Sequence, residues 1–186
     1  MPTINLPKLQ KQIEWANTLE TSLITKDSQN EILKLLINFN LFEAKLFKES
    51  RALVHERLMT ICKTLKDETW FDIKDYEMFG KYFSERYVDP DGTQNYKFDQ
   101  LKLSREVKQE TFETLLKFKT EGKRSSDQMY YYLLISYRFR NNLFHGSKDP
   151  LGLNNYTDCF AQINTLINRL LLDMCKHEFS GLTHKF

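Results

Sequence analysis

The sequence predicts an all-α fold, a helical bundle, on three observations. Apolar residues recur at helical spacing along nearly the whole chain. Turn formers are sparse, with 6 Gly and 4 Pro in 186 residues and no stretch rich in both. There is neither a βαβ pattern nor an internal repeat.

A first amphipathic stripe comprises Leu6, Leu9, Ile13, Ala16, Leu19 and Leu23. Thr25-Lys26-Asp27 breaks it. Ser28, with Glu31 three residues on, has capping-box spacing and predicts a second helix carrying Ile32, Leu35, Phe39, Phe42 and Leu46. A kink is expected at Ser50, after which Leu53, Leu58, Ile61 and Leu65 continue the pattern. Residues 67–103 differ in character. They are rich in aromatics (Trp70, Phe71, Tyr76, Phe79, Tyr82 and Phe83 among them) and contain the turn Asp89-Pro90-Asp91-Gly92. A helix is expected from about Phe71 to Tyr87, then an irregular or briefly extended segment. This stretch reads as an insertion into the bundle, with its aromatics as core rather than a base-stacking platform.

Ser104 opens the next helix, with Val107, Phe112, Leu115 and Leu116. Ser125 and Gln128 form a second capping-box pattern before a strongly apolar helix through Tyr130-Tyr131-Tyr132-Leu133-Leu134-Ile135. Gly146 suits the left-handed position just past a helix end. Ser147 to Asn155, with Pro150 and Gly152, reads as a loop. A last helix carries Tyr156, Phe160, Ile163, Ile167, Leu170, Leu171 and Met174. A chain of this length buries roughly 70% of its unfolded surface as one domain, and residues 1–186 read as a single domain with 67–103 inserted.

Charge is nearly balanced, 27 basic against 25 acidic residues, so the molecule as a whole is not a general nucleic-acid sponge. Locally it is uneven. Between Lys117 and Lys148 seven basic side chains stand against Glu121 and Asp127, a net of +5. The 3 cysteines, Cys62, Cys159 and Cys175, have no paired spacing and suit a reducing compartment better than a disulfide scaffold. No N-terminal apolar signal region is present, and no run approaches the ~20 apolar residues of a membrane span. The chain reads as cytoplasmic, without a membrane partner.

Chemistry concentrates at Tyr137-Arg138-Phe139-Arg140-Asn141-Asn142-Leu143-Phe144-His145-Gly146. A guanidinium or amide buried without partners is costly, so these groups must reach partners or a cleft. On an ideal helix Arg138, Asn141, Asn142 and His145 share one face, and Asn141, four residues before His145, is placed to orient the imidazole. Arg140 stands five residues before His145, about 140° around the helix, so one straight helix does not bring the two together. Either the backbone bends near Gly146 or the second group comes from another copy. The blander reading has both arginines snorkelling to solvent, the asparagines capping carbonyls and His145 favouring the helix C-terminal dipole.

Arg140, four intervening residues and His145, with polar Asn141 directly after the arginine, resemble the RX4–6H motif of the HEPN superfamily. The string Arg-Asn-Asn-Leu-Phe-His-Gly after a Tyr-rich helix and before another apolar helix is similar to members of that group. The resemblance covers roughly residues 126–175. It implies a four-helix core with additional helices, and a metal-independent endoribonuclease in a toxin–antitoxin, phage-defence or RNA-processing setting. It also implies a homodimer whose two motifs form one composite site, acting on RNA, with an antitoxin or defence-system protein as a further partner. Other members have lost catalysis and only bind RNA, a nucleotide or a protein. The resemblance makes Arg140, His145 and Asn141 the catalytic set, and Arg138, Asn142 and Lys148 substrate-binding, with no metal or cofactor. One departure is Ser147: toxins paired with a minimal nucleotidyltransferase often carry a tyrosine two residues after the histidine.

The chemistry is consistent with the residue types. Attack by a 2′-hydroxyl needs a base beside it, positive charge on the phosphorane and an acid at the leaving 5′-oxygen. Imidazole serves as base or acid, and the guanidinium fork matches phosphate. Elsewhere, His55 and Cys62 share a helical face without further ligands, and His177 and His184 lie in a tail; neither pair reads as a metal site. Ser136 has no base placed with it.

Overall fold

The computed structural model describes residues 6–18, 24–47, 55–125, 127–144 and 150–179. The expected kink at Ser50 and the helix-ending Gly146 lie outside them. The all-α expectation holds. Eight α-helices are present among the described residues: α1 (Leu6–Thr18), α2 (Lys26–Leu46), α3 (His55–Asp67), α4 (Glu77–Tyr87), α5 (Tyr96–Asp99), α6 (Arg105–Glu121), α7 (Gln128–Phe144) and α8 (Thr157–Lys176). Short 3₁₀ helices occupy Ile73–Tyr76 and Pro150–Tyr156. The single extended feature among these residues is an isolated antiparallel bridge between Val88 and Gln94. No described helix is long and apolar enough to cross a membrane.

The contacts group into two compact units, Met1–Leu53 with Gly146–Phe186, and Val54–His145. In the first, α2 and α8 pair along buried stripes: Ile32, Leu35, Phe39 and Phe42 on one helix, Phe160, Ile163, Ile167 and Leu170 on the other. Polar groups inside this pairing are matched. Asn38 Nδ2 donates to Asn164 Oδ1 at 3.1 Å, and Asn164 Nδ2 donates to the Glu31 carbonyl at 2.9 Å and its carboxylate at 2.8 Å. An amide pair of this kind penalises a register slip, because the slip would leave both amides buried and unpaired. Lys8 of α1 reaches Glu43 of α2 at 3.0 Å.

Two elements of this unit differ from expectation. The N-cap of α2 is Thr25, not Ser28; the Thr25 hydroxyl accepts from Ser28 N, and Ser28 sits fully buried within the first turn. Ser28 is drawn inward by a short hydrogen bond to Thr157, the first residue of α8. The expected loop, in its described part, is the 3₁₀ helix Pro150–Tyr156. Proline's fixed φ suits its first turn, Asn154 Oδ1 accepts from Thr25 N at 2.8 Å, and the Asn154 carbonyl accepts from Thr157 Oγ1 at 2.9 Å.

The second unit contains α3 to α7, with α4 packed on α6 and α7 on α3. The helix expected from Phe71 is two pieces: a 3₁₀ turn capped by Asp72, which accepts from Lys74 N at 2.9 Å, and then α4. The Asp89–Gly92 turn forms as expected, with Gly92 N donating to Asp89 O at 3.0 Å and Gly92 at φ +82°. Five aromatics of 67–103 are core, whereas Tyr96 is exposed and Trp70, Phe71 and Tyr82 are half-buried. Tyr76, Phe79, Phe83, Tyr87 and Phe98 are buried, and ring contacts run from Tyr132 to Phe83 (5.9 Å), Tyr87 (6.2 Å from Phe83), Phe98 (5.8 Å) and Phe112 (5.6 Å).

Gly80 is where α4 meets this core most closely. A Cβ there would collide with the Tyr132 hydroxyl and lie 2.7 Å from the Phe118 ring. Tyr132 Oη is buried there with no hydrogen-bond partner, and burial pushes its phenol pKa up. Gly80→Ala therefore overpacks the site and should cost about 1–3 kcal/mol in urea denaturation. Tyr132→Phe removes an unsatisfied hydroxyl and should leave stability unchanged or raised. A loss above about 1 kcal/mol in Tyr132→Phe would show that the hydroxyl is satisfied after all.

Cys62 and Cys159 are buried and Cys175 is exposed, all with free thiols. Burial pushes the Cys62 thiol up to about 12, which withholds the reactive thiolate at neutral pH. In the folded protein at pH 8 an aromatic disulfide reagent should titrate one thiol quickly, and Cys175→Ser should remove that phase. Two fast thiols would contradict the packing around α3 or α8.

Candidate functional site

The residues singled out by sequence lie on and just beyond α7. The start of this helix is not the reciprocal capping box expected. Ser125 Oγ accepts from Asp127 N at 3.3 Å, while the buried Gln128 side chain donates to the Lys123 carbonyl at 2.8 Å instead of turning back to Ser125. From Tyr132 to Ser136 every side chain is buried, so the middle of the helix is enclosed as its all-round apolar character implies. Ser136 Oγ donates to the Tyr132 carbonyl one turn back at 2.8 Å, which spends the hydroxyl locally.

Arg138 and Asn142, four residues apart, do share a face, and both hold backbone. Asn142 Nδ2 donates to Gln100 O at 2.8 Å, Arg138 Nε to Leu101 O at 3.0 Å and Arg138 Nη2 to Lys102 O at 2.7 Å. Three successive carbonyls between α5 and α6 are thus held by one face of α7. Lys102 adopts a left-handed φ of 52°, a conformation disfavoured for a residue with a side chain. The clamp holds that strained turn in place. The asparagine is therefore a carbonyl cap, as the blander reading has it, while Arg138 keeps Nη1 uncommitted among the described residues.

Arg140 faces elsewhere. It is 8% exposed, so it does not snorkel, and its Nη1 donates to Asn141 Oδ1 at 3.3 Å. The Asn141 amide oxygen is thereby turned to the guanidinium, leaving its NH₂ donors uncommitted among the described residues. His145 and Lys148, with Ser147, lie outside the described residues, so the approach of Arg140 to His145 does too. Of the other candidates, Cys62 is packed in the core, His177 is an exposed residue at the end of α8, and His184 is outside the described residues. Among the described residues no group of three or more His, Cys, Asp or Glu converges as metal ligands do.

Cationic and aromatic side chains that line cavities beside α7 were not all evident from sequence. Lys117 and Lys123 belong to the basic stretch, but Lys102, Tyr131 and Tyr137 carry no motif; only the pairing of α6 with α7 gathers them. The chain matches no protein-family model, and no curated protein or solved structure is significantly similar to it.

The carbonyl clamp has a measurable consequence. Arg138→Ala and Asn142→Ala should each destabilise the protein by about 1–3 kcal/mol, because carbonyls lose their donors. The double variant should lose less than the sum, since both side chains hold the same turn. Urea denaturation reads all three; single losses below about 0.5 kcal/mol would mean that solvent satisfies the 100–102 carbonyls unaided.

Proposed function

We propose that this chain is a metal-independent endoribonuclease of HEPN type, cleaving RNA at a composite site built from two copies, in the cytoplasmic setting of a toxin–antitoxin or phage-defence system. The observation that carries this reading is the string Arg140-Asn141-Asn142-Leu143-Phe144-His145 at the C-terminal end of an enclosed helix in an all-α protein. The hydrogen bond from Arg140 to Asn141 supports it further, because it couples the two polar residues that head the motif.

In the proposed reaction one His145 imidazole takes the proton of the 2′-hydroxyl as its oxygen bonds to phosphorus. The bond from phosphorus to the 5′-oxygen breaks, and the partner copy's imidazole protonates that leaving oxygen. Arg140 lends its planar charge to the phosphorane, and Asn141, with its free NH₂ donors, contacts the RNA backbone. The products are a 2′,3′-cyclic phosphate and a 5′-hydroxyl. Arg138 and Asn142 contribute by shaping the cleft, in addition to any substrate contact through the remaining donors of Arg138; Lys148 adds charge for the strand.

A second reading is favoured by one observation, the near-complete burial of Arg140. In it the guanidinium is structural and the chain is a non-catalytic helical module that binds RNA, a nucleotide or a protein partner. The formal net charge of +2 suits such selective binding.

The two readings separate in one assay. Purified protein should cleave single-stranded RNA in EDTA, with a bell-shaped pH profile because one imidazole must be neutral and the other protonated. His145→Ala should lower the rate at least about 100-fold. Arg140→Lys, which keeps the charge but loses the fork, should also lose activity at unchanged melting temperature. Cleavage that survives His145→Ala, or an inactive wild-type protein that still binds RNA, would sink the catalytic assignment.

A further inference from the structure

Two cavities, each of about 220 Å³, lie along the pairing of α6 with α7. The first has apolar walls from Val107, Leu134 and Tyr137 and a polar rim of Lys102, Ser104 and Arg138. The second is bounded by Thr114 and Tyr131, with Lys117, Lys123, Ser125 and Asp127 at its edge. They follow one another along the same helix pair. Val107 and Thr114 are seven residues apart on α6, as are Arg138 and Tyr131 on α7. Seven residues bring a helix back to within about 20° of the same face after about 10 Å of rise. From the first cavity to the second, chain number rises on α6 and falls on α7, so the helices run antiparallel and the cavities lie in line along them.

The chemistry repeats in each cavity: a half-buried tyrosine beside two cationic side chains, Tyr137 with Lys102 and Arg138, then Tyr131 with Lys117 and Lys123. None of these lysines has an ion-pair partner among the described residues. Of the acids, Asp127 lines the second cavity itself and is paired to Lys66, while Glu110 and Glu113 stand on the exposed side of α6. Their presence argues against a surface for any dense polyanion. A ligand that gains there must add flat apolar faces to its charge.

From this repeat we infer that the α6–α7 groove binds a single-stranded RNA segment, seating one base against Tyr137 and another against Tyr131, with the intervening phosphates held by the four flanking cations. A strand supplies bases and phosphates in alternation, and the separation of about 10 Å suits nearby nucleotides of one strand. The inference rests on the ribonuclease proposal for RNA as the ligand; binding itself stands apart from cleavage. Neither Lys102 nor Tyr137 belongs to the motif that carries the cleavage proposal.

The test uses the full chain carrying His145→Ala, so that RNA stays intact, and a fluorescent single-stranded 12-mer read by anisotropy. Lys102→Glu, Lys117→Glu and Lys123→Glu combined should weaken binding at least about 10-fold and flatten its salt dependence, since the slope falls by about 0.7 for every phosphate that the groove ceases to neutralise. Tyr137→Ala should weaken it about 5-fold or more with the salt slope unchanged, because stacking carries no charge. Lys63→Glu with Lys81→Glu, exposed on α3 and α4, should change it less than about 2-fold, which controls for net charge. Equal losses in the control and groove variants, unaltered binding by the groove triple, or heparin or an acidic peptide bound as tightly as RNA would each overturn the inference. Groove-dependent binding by a wild-type protein that cannot cleave keeps the groove and sinks the ribonuclease. Cleavage with groove variants unaffected sinks the groove alone.

Discussion

One face of α7 holds three consecutive carbonyls, and the second unit is arranged around that grip. Between the end of α5 at Asp99 and the start of α6 at Arg105 the chain must reverse, and it does so through Lys102 in a left-handed conformation. Such a residue costs roughly 1–2 kcal/mol, and the carbonyls beside it have no helical partners. Arg138 and Asn142 supply donors to Gln100, Leu101 and Lys102. Because those donors stand on α7, they tie the turn that precedes α6 to it. The line of the α6–α7 groove follows from this anchoring.

The two units use buried polarity in opposite ways. In the α2–α8 pairing the amides of Asn38 and Asn164 meet each other and Glu31, so a shift of register would strand both. The core under α4 has close packing instead: Gly80 admits the Tyr132 ring and leaves its hydroxyl without a partner. The aromatic run through Phe83, Tyr87 and Phe98 offsets that cost with apolar burial. Specificity in the first pairing comes from hydrogen bonds, and in the second from shape.

The motif on α7 divides by role. Asn142 serves the fold, Arg138 serves the fold with donors to spare, and Arg140 is bonded to Asn141 instead of joining the carbonyl clamp. Four residues' separation puts Arg138 and Asn142 on one face, and a two-residue step turns Arg140 some 200° from Arg138. This division is the physical basis of the proposed function: the fold's anchors and the guanidinium proposed to meet phosphate occupy different sides of the same helix. Burial of Arg140 strengthens its field on any phosphate that reaches it, and equally suits a structural charge, which is why cleavage and stability must be read together.

By itself the sequence determined the all-α class, the stripes of α2, α3, α6 and α8, the Asp89–Gly92 turn and the aromatic core, because helical periodicity and turn chemistry act over a few residues. It also marked Arg138, Arg140, Asn141 and Asn142 as the polar end of an apolar helix. Helix starts were decided elsewhere. Thr25 and Ser28 both offer a capping hydroxyl, and only the Ser28 contact with Thr157 of α8, 129 residues away, turns Ser28 inward and leaves Thr25 as the cap. Gln128 caps Lys123 rather than Ser125 for want of any local rule to choose between them. The tertiary structure alone made Arg138 and Asn142 partners of residues 100–102 and gathered Lys102, Tyr131 and Tyr137 beside the α6–α7 pairing. No local periodicity encodes which carbonyl, some forty residues away, a side chain will meet.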